Sequence, residues 1–330
     1  MVNNGVLEIR ADQGGGNTKD LTPVKLLGKS MEQESRLNPL PSLNKEEMAA
    51  FESALAEADG VEEIADLLKS KLKIEDDHVA FLIQQGGAAK LREFYYEVIK
   101  FDLNYGTNTS SYIPESFYVR IAKENPESLA NPSHAVHGVK HRSSLTSTIV
   151  TGFNTAVTIL RNHGFNPSEA SLFDMGCGEG KAILIGMSNG GHFRTGDSGE
   201  KDYRFKKGVG VDYYEDVLAV AQKNVQSKEL SVNGKREVRF EFADAAEYRG
   251  FNGLNVVYMY NPFNQEIMRK VEKNLRKYAG KSIVIYNKPL HHDLFDNKGW
   301  KLERDIADSD PDKQTRVYSW GLDAPNAKLA

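Results

Sequence analysis

Alternating glycines follow an acidic residue near the middle of this chain. Asp174 ends a short apolar run, and Gly176, Gly178 and Gly180 come at alternate positions before an apolar segment that can form a helix. Because glycine has no Cβ, such a turn can take positive φ angles and lets the backbone approach a bound ligand closely. The stretch therefore predicts a strand, a tight turn and a helix built around a flat or charged ligand.

The glycine spacing separates the ligands that use such turns. A dinucleotide fingerprint, G-x-G-x-x-G, needs glycine where the chain has Lys181, and a P-loop needs Ser or Thr where it has Ala182. The stretch from Asp174 to Gly180 instead resembles motif I of the class I S-adenosylmethionine-dependent methyltransferases. The resemblance implies S-adenosylmethionine as the cofactor, bound by Asp174, Gly176, Cys177, Gly178 and Gly180. The alternative is a tight strand-to-helix turn in another α/β fold.

Three more strand-like runs follow in the order of that family. The first, Lys207–Asp212, ends in an acid that can accept hydrogen bonds from a ribose diol, with Tyr213 next to it. In the second, residues 238–245, the resemblance places Asp244 at the adenine amino group, beside Ala245. The third, residues 254–263, ends in Asn-Pro-Phe. Together they extend the resemblance over roughly the last half of the chain.

The Asn-Pro-Phe sequence at the end of the third run is the candidate catalytic motif. In members of the family with Asn/Asp-Pro-Pro-Tyr/Phe, a side-chain oxygen and a proline carbonyl accept hydrogen bonds from an amino group, and the aromatic ring packs against it. The resemblance thus implies catalytic roles for Asn261, Pro262 and Phe263, and N-methylation of a protein side chain or a small-molecule amine. This chain has one proline instead of two, so a proline that ends a strand beside a pocket wall is the alternative.

Methylation of a nucleic-acid base is disfavoured by the acidic balance of the chain and by the absence of an obvious basic tract interleaved with aromatic residues. Two other functions stay open. One is O-methylation, for which His141, His291 or His292 could act as general base. The other is a cofactor-binding partner subunit that does not catalyse.

A second informative stretch precedes the glycines. Residues 101–112 resemble an F-D-x-x-Y-G-x-x-T segment of a bacterial methyltransferase group without defined specificity. That resemblance implies a loop over the cofactor, with Tyr105 and Thr109 as contacts. Taken alone, Gly106 and the hydroxyl residues after it indicate an ordered turn whose side chains cap a helix.

These motifs need a scaffold with three parts. Residues 1–43 have no hydrophobic period and predict a flexible arm. Residues 44–143 carry amphipathic stripes, beginning at Asn44 with Glu47 three residues on, and predict a helical cap with the cofactor-lid segment. For residues 144–330 we expect an α/β methyltransferase domain, a Rossmann-like, doubly wound, seven-stranded sheet closed by an antiparallel pair near residues 300–304 and 315–320.

Composition limits the partners. With 40% hydrophobic and 27% charged residues and a net charge of −4, the chain reads as globular, and its acidic balance argues against a nucleic-acid partner. The single cysteine, Cys177, cannot form an internal disulfide, and no stretch looks apolar enough for a membrane span or a signal peptide. We therefore expect a cytoplasmic enzyme acting on a protein or a small molecule.

Three histidines suggest a metal site at first sight. His134, His137 and His141 have a spacing that can share a helix face, but Pro132 and Gly138 argue against a regular helix there. Methyl transfer from a sulfonium needs no metal, so the sequence favours a polar loop at the rim of the active site.

Overall fold

The computed structural model describes residues 40–113, 115–137, 141–188, 205–226 and 237–322. The predicted arm lies outside the described residues except for its last four positions. The helices are α1 Lys45–Glu57, α2 Val61–Leu72, α3 Asp76–Phe94, α4 Lys100–Tyr105, α5 Glu115–Glu124, α6 Thr146–Asn162, α7 Lys181–Met187, α8 Glu215–Val225, α9 Gln265–Tyr278 and α10 Asp293–Asp296. The strands are β1 Ser171–Met175, β2 Lys207–Asp212, β3 Glu237–Phe242, β4 Leu254–Tyr260, β5 Lys281–Asn287, β6 Lys301–Ile306 and β7 Thr315–Trp320.

The strands form one seven-stranded sheet in the order β3-β2-β1-β4-β5-β7-β6. Strands β1 to β5 run parallel, and β7 pairs antiparallel with both β5 and β6. The chain leaves the central strand β1 toward β2 on one side and returns to β4 on the other. Ligands of open α/β sheets bind at such a switch point, beyond the carboxyl ends of the strands. The predicted fold class, including the closing antiparallel pair, is confirmed.

Helices cover both faces of the sheet. Along β4 and β5, neighbouring residues point to opposite faces because side chains alternate in a strand. Val256 and Ile283 pack in the cluster that contains Phe153 of α6, whereas Val257 and Val284 pack in the cluster that contains Val271 of α9. These two apolar layers hold the carboxyl edge of the sheet in place.

The amino-terminal helices form a third apolar cluster, which includes Leu55, Leu68 and Tyr95. The Asn44 side chain accepts from the backbone of Glu47, whose carboxylate accepts in return from the Asn44 N–H, so the predicted helix start is confirmed. The backbone is non-helical at Gly86 and Gly87, inside α3. Residues Tyr95–Ile99 then form a π-helical turn that leads into α4. Among the described residues, no helix is long and apolar enough to cross a membrane.

Candidate active site

The glycine turn after β1 has the backbone that the sequence predicts. Gly176, Gly178 and Gly180 have φ angles of 79°, 49° and 83°, a region that side chains with a Cβ rarely enter. A Cβ on Gly176 would lie 2.6 Å from the Pro262 Cβ, and one on Gly178 would clash with the ring of His141. The turn therefore lets two neighbouring segments approach the backbone directly.

Two cavities lie at the carboxyl ends of the strands. The larger, of about 300 Å³, is bordered by the glycine turn and by the end of β4. The smaller, of about 30 Å³, adjoins the end of β3. The larger is lined by these predicted site residues: Thr109, Asp174, Gly176, Cys177, Asp212, Tyr213, Asn261, Pro262 and Phe263. The smaller contains Asp244 and Ala245 and shares Gly176, Asp212, Tyr213, Pro262 and Phe263 with the larger.

Three predicted site residues are not among the lining residues of either cavity. Gly178 and Gly180 shape the turn from behind, where Gly180 approaches Phe240. Tyr105 ends α4 and packs its ring 5.1 Å from that of Phe101. Contact between the predicted residues and a cofactor stays a prediction for all of them.

Asp212 lies at the end of β2 and faces the turn. Its carboxylate accepts hydrogen bonds from the backbone N–H of Gly178 at 2.8 Å and of Tyr214 at 3.0 Å. Burial raises the pKa of Asp212, although these backbone donors oppose the shift. The carboxylate is thus fixed in orientation and keeps lone pairs for a further donor.

Asp174 ends the apolar part of β1 and is only 4% exposed. Within the described residues its side chain has no hydrogen-bond partner. Burial, reinforced by the nearby charge of Asp212, raises the pKa of Asp174 to about 8. A buried carboxyl group in this state would be stabilised as the carboxylate by a cationic ligand.

Asp244, after β3, is held by a short segment of the cap. Its Oδ2 accepts from His134 Nδ1 at 2.6 Å and from Asn131 Nδ2 at 2.9 Å, and its Oδ1 accepts from the Ala246 N–H at 2.8 Å. His134 lies in a 3₁₀ helix, Pro132–His137, beside the smaller cavity. The predicted polar loop at the rim of the site is therefore present, with its hydrogen bonds directed at Asp244.

The Asn-Pro-Phe motif follows β4 in a constrained conformation. Asn261 has φ 35°, and its N–H donates to the Asn287 carbonyl at 3.1 Å. Its side-chain Oδ1 accepts from the Tyr286 hydroxyl at 3.3 Å. A non-glycine residue in the left-handed region is uncommon, although asparagine tolerates it better than most. The backbone thus directs the amide of Asn261 at the larger cavity.

Glu179, which the sequence reasoning missed, is the most unusual residue of the larger cavity. It is 3% exposed, and its Oε1 has no hydrogen-bond partner in the part of the chain that the structure describes. Its Oε2 lies 3.5 Å from His141 Nε2. Burial lowers the pKa of His141, but the Glu179 carboxylate outweighs this and the net shift is upward. In the sequence, Glu179 could have been noticed as a charged residue between two glycines of the turn.

Three cationic side chains line the same cavity, and each is hydrogen bonded to backbone carbonyls or to a carboxylate. Lys181 donates to the carbonyls of Glu97 and Ser144 at 2.8 and 2.9 Å, and burial lowers its pKa to about 8. Arg142 forms a two-pronged pair with Asp312, at 2.9 and 2.7 Å, and Lys288 reaches the same carboxylate at 2.8 Å. These pairs join the cap and β5 to the turn before β7.

Of the three candidate general bases, His141 alone is among the residues that line a described cavity. His292 pairs with Asp296 at 2.8 Å and also contacts Arg316. His291 is next to Leu290, which lines the cavity, but does not line it itself.

No family model and no curated protein matches this chain. Solved structures are similar to it over about half its length. The magnesium protoporphyrin IX methyltransferase of Synechocystis is 16% identical over 52% of this chain and 79% of its own, with a TM-score of 0.38. The methyltransferase domain of a bacterial Hen1 protein is 17% identical over 53% of this chain and 100% of its own, with a TM-score of 0.36. TrmN from Thermus thermophilus is 17% identical over 50% of this chain and 47% of its own, with a TM-score of 0.33.

Proposed function

We propose that this chain is an S-adenosylmethionine-dependent methyltransferase that methylates nitrogen of a protein side chain or a small-molecule amine. The observation that carries the proposal is the charge of the larger cavity. Asp174, Glu179 and Asp212 place three carboxyl groups around one glycine turn. Asp174 and Glu179 are buried and Asp212 is partly exposed, and Glu179 Oε1 has no hydrogen-bond partner within the described structure. S-adenosylmethionine carries an ammonium and a sulfonium, which fit such a lining.

The remaining lining fits the other parts of the cofactor. Asp212 is oriented by two backbone donors and can accept from a ribose diol. Asp244 and Ala245 border the smaller cavity, which shares five lining residues with the larger, so the adenine would lie on this side of the site. Gly176 and Gly178 carry no side chain of their own at the turn, and the space that a Cβ would take there is filled by Pro262 and His141.

When bound, S-adenosylmethionine supplies an electrophilic methyl group. The task of this chain is to hold an acceptor nitrogen in line with it and to exclude water. Asn261 Oδ1 and the Pro262 carbonyl would accept hydrogen bonds from the amine, and the faces of Phe263 and Tyr213 would tolerate a cationic product. An amine that arrives as an ammonium must lose a proton first, and His141 beside Glu179 is placed to take it.

O-methylation of a small molecule is the second candidate function. The position of His141 at the larger cavity supports it, because a hydroxyl acceptor also needs a general base. A partner subunit that binds the cofactor without catalysis is the third, and the buried carboxylates fit it equally well.

Calorimetric titration with S-adenosylmethionine and then S-adenosylhomocysteine tests the cofactor assignment. Asp212→Ala and Asp174→Ala should each lose most of the affinity, whereas Asp59→Ala, at an exposed aspartate of the cap, should retain it. Absence of binding by the unaltered protein would contradict the proposal. A labelled methyl donor, offered with lysine-containing peptides, small amines and small alcohols, then separates N-methylation from O-methylation and both from an inactive subunit.

A further inference from the structure

Helix α9 presents a row of cations to solvent. Arg269, Lys273 and Lys277 are four residues apart and therefore share one side of the helix. All three are exposed, as is Arg249, and the Tyr278 ring is half-buried beside them. We call these five residues the basic face.

The cations of the basic face are not paired with acids in the part of the chain that the structure describes. No ion pair joins Arg249, Arg269, Lys273 or Lys277 to a carboxylate within the described residues. The two acids of α9 are already used: Glu266 pairs with Lys270 at 3.3 Å, and buried Glu272 pairs with Arg276 at 3.0 Å. The row therefore keeps its full charge on a protein whose net charge is −4.

Helix stability does not explain this row. Like charges four residues apart on a helix repel each other and destabilise it. The helix dipole favours cations only in the last turn, which accounts for Lys277 but not for Arg269 or Lys273. The row therefore does not stabilise the helix, and its exposed charges are available to a ligand.

Tyr278 adds an aromatic group to the basic face. The guanidinium carbon of Arg249 lies 5.6 Å from its ring centroid, and Lys277 Nζ lies 4.9 Å from it. A hydrogen bond from Lys277, together with the charges of Arg249 and Lys273, lowers the pKa of the Tyr278 hydroxyl. An aromatic ring between cations is the arrangement with which proteins bind the bases and phosphates of a single strand.

The helix also connects the basic face to the candidate active site. Asn264, directly after the Asn-Pro-Phe motif, caps α9 by accepting from the Ile267 N–H. One turn further, Lys270 lies 3.4 Å from His134, whose ring is hydrogen bonded to Asp244. The row of cations therefore leads away from the rim of the smaller cavity along a rigid element.

We propose that the basic face binds the phosphodiester backbone of a single-stranded nucleic acid, in which a base stacks on the Tyr278 ring in place of one of its two cation contacts. The net charge of −4 does not reveal this surface, because it sums the cations of α9 with the acidic residues of the rest of the chain. The binding does not depend on the methyl-transfer reaction and adds a second ligand to the protein.

Fluorescence anisotropy with a labelled 20-nucleotide single-stranded RNA, and with DNA of the same sequence, tests this proposal on the full chain. Four phosphates neutralised by the four cations of the basic face predict that affinity falls roughly 50-fold between 50 and 200 mM salt. Charge reversal by Arg269→Glu, Lys273→Glu and Lys277→Glu together should weaken binding at least tenfold. The matched control reverses three exposed lysines on other helices, Lys45, Lys71 and Lys123, and should change the affinity less than twofold.

Three results would overturn the proposal. These are no binding by the unaltered protein, an equal loss in both triple variants, and unchanged binding when only the basic face is reversed. Sedimentation with phosphatidylserine vesicles covers a membrane surface: vesicle binding without RNA or DNA binding also contradicts the proposal. If charge reversal lowers the melting temperature, the Gln versions of the same three substitutions replace it, with the same expected loss. A preference for RNA or for DNA then identifies which backbone is bound.

Discussion

The Asn224 side chain is paired with the backbone of Asn108 through both ends of its amide. Asn224 Oδ1 accepts from the Asn108 N–H at 2.9 Å, and Asn224 Nδ2 donates to the Asn108 carbonyl at 2.8 Å. The same Nδ2 donates to the Glu179 carbonyl at 3.0 Å. One buried residue of α8 thereby joins the segment after α4 to the glycine turn.

Asp102 secures the other side of that segment. Its buried carboxylate accepts from the Thr107 hydroxyl at 2.7 Å and from the N–H and hydroxyl of Thr109. The hydrogen bonds to Asn224 and to Asp102 favour a segment that is a fixed wall of the larger cavity over one that moves as a lid. Asp102 is the aspartate of the F-D-x-x-Y-G-x-x-T segment, and its role here is structural. The Thr109 hydroxyl of the same segment donates to it.

Replacing Asn224 with Ala should weaken cofactor binding roughly tenfold, a change of about 1.4 kcal/mol. The substitution leaves buried backbone groups of Asn108 and Glu179 without partners, which costs about 1–3 kcal/mol for each group. Calorimetry with S-adenosylhomocysteine measures the first effect and urea unfolding the second. Gln222→Ala on the same helix is the control. A loss of stability with unchanged affinity would mean that Asn224 serves folding alone.

Much of the fold is predictable because local patterns determine it. The apolar runs that become β1, β2, β4 and β5, and the glycines after β1, depend on residues next to each other in the chain. The Asn44 and Glu47 cap is local in the same way. Helix α5 was not predicted, since its contacts are with distant residues: Tyr118 packs on Tyr213 and Tyr214.

The candidate site is predictable only where a motif marks it. Asp174, Asp212 and Asn261 end strands and can be located from the sequence. Asn224 and Asp312 cannot, because their roles arise when segments 45 to 170 residues apart meet. Glu179 lies within the glycine motif, yet only its burial and its unpaired oxygen distinguish it from an exposed turn residue.

Asp174→Asn should change the pH dependence of stability. The pKa of Asp174 is raised from 3.8 to about 8 in the folded chain, so the folded state holds a proton that the unfolded state releases. The contribution of Asp174 to the free energy of unfolding is therefore complete below pH 4 and is lost as pH rises toward 8. In thermal unfolding at pH 5, 6, 7 and 8, the melting temperature of the variant should increase relative to that of the unaltered protein as the pH rises. A constant difference across this range would contradict the buried, unpaired state of Asp174.

Asn261→Ala should separate cofactor binding from turnover. Affinity for S-adenosylmethionine should stay within about twofold, while turnover of an acceptor found by the labelled-donor screen should fall at least tenfold, because an acceptor of the amine hydrogen bond is lost. Alanine at φ 35° should also cost about 1 kcal/mol of stability. Asn261→Gly relieves that strain and is the matched variant: it should restore stability but not turnover. Equal losses of affinity and turnover would assign Asn261 to the cofactor site.

The Asp312 carboxylate should account for a large part of the attachment of the cap. It is 6% exposed and pairs with Arg142, Lys288 and Lys90, the last at 3.2 Å. Removing one partner of a buried ion pair costs about 3–5 kcal/mol, because the other charges stay buried without it. We therefore expect Asp312→Asn to lower the free energy of unfolding by about 3 kcal/mol at pH 7, measured with urea.

The pH dependence of that loss distinguishes the ion pairs from simple packing. Burial opposes ionisation of Asp312, but Arg142 and Lys288 outweigh it and hold the pKa of the carboxyl below its ordinary 3.8. The stabilisation is therefore present above pH 4 and is lost as pH falls below it. The difference between Asp312→Asn and the unaltered protein should shrink between pH 4 and pH 2, while Asp308→Asn, at an exposed aspartate of the same turn, should differ little throughout. A difference that persists at low pH would assign the effect to the shape of the side chain and not to its charge.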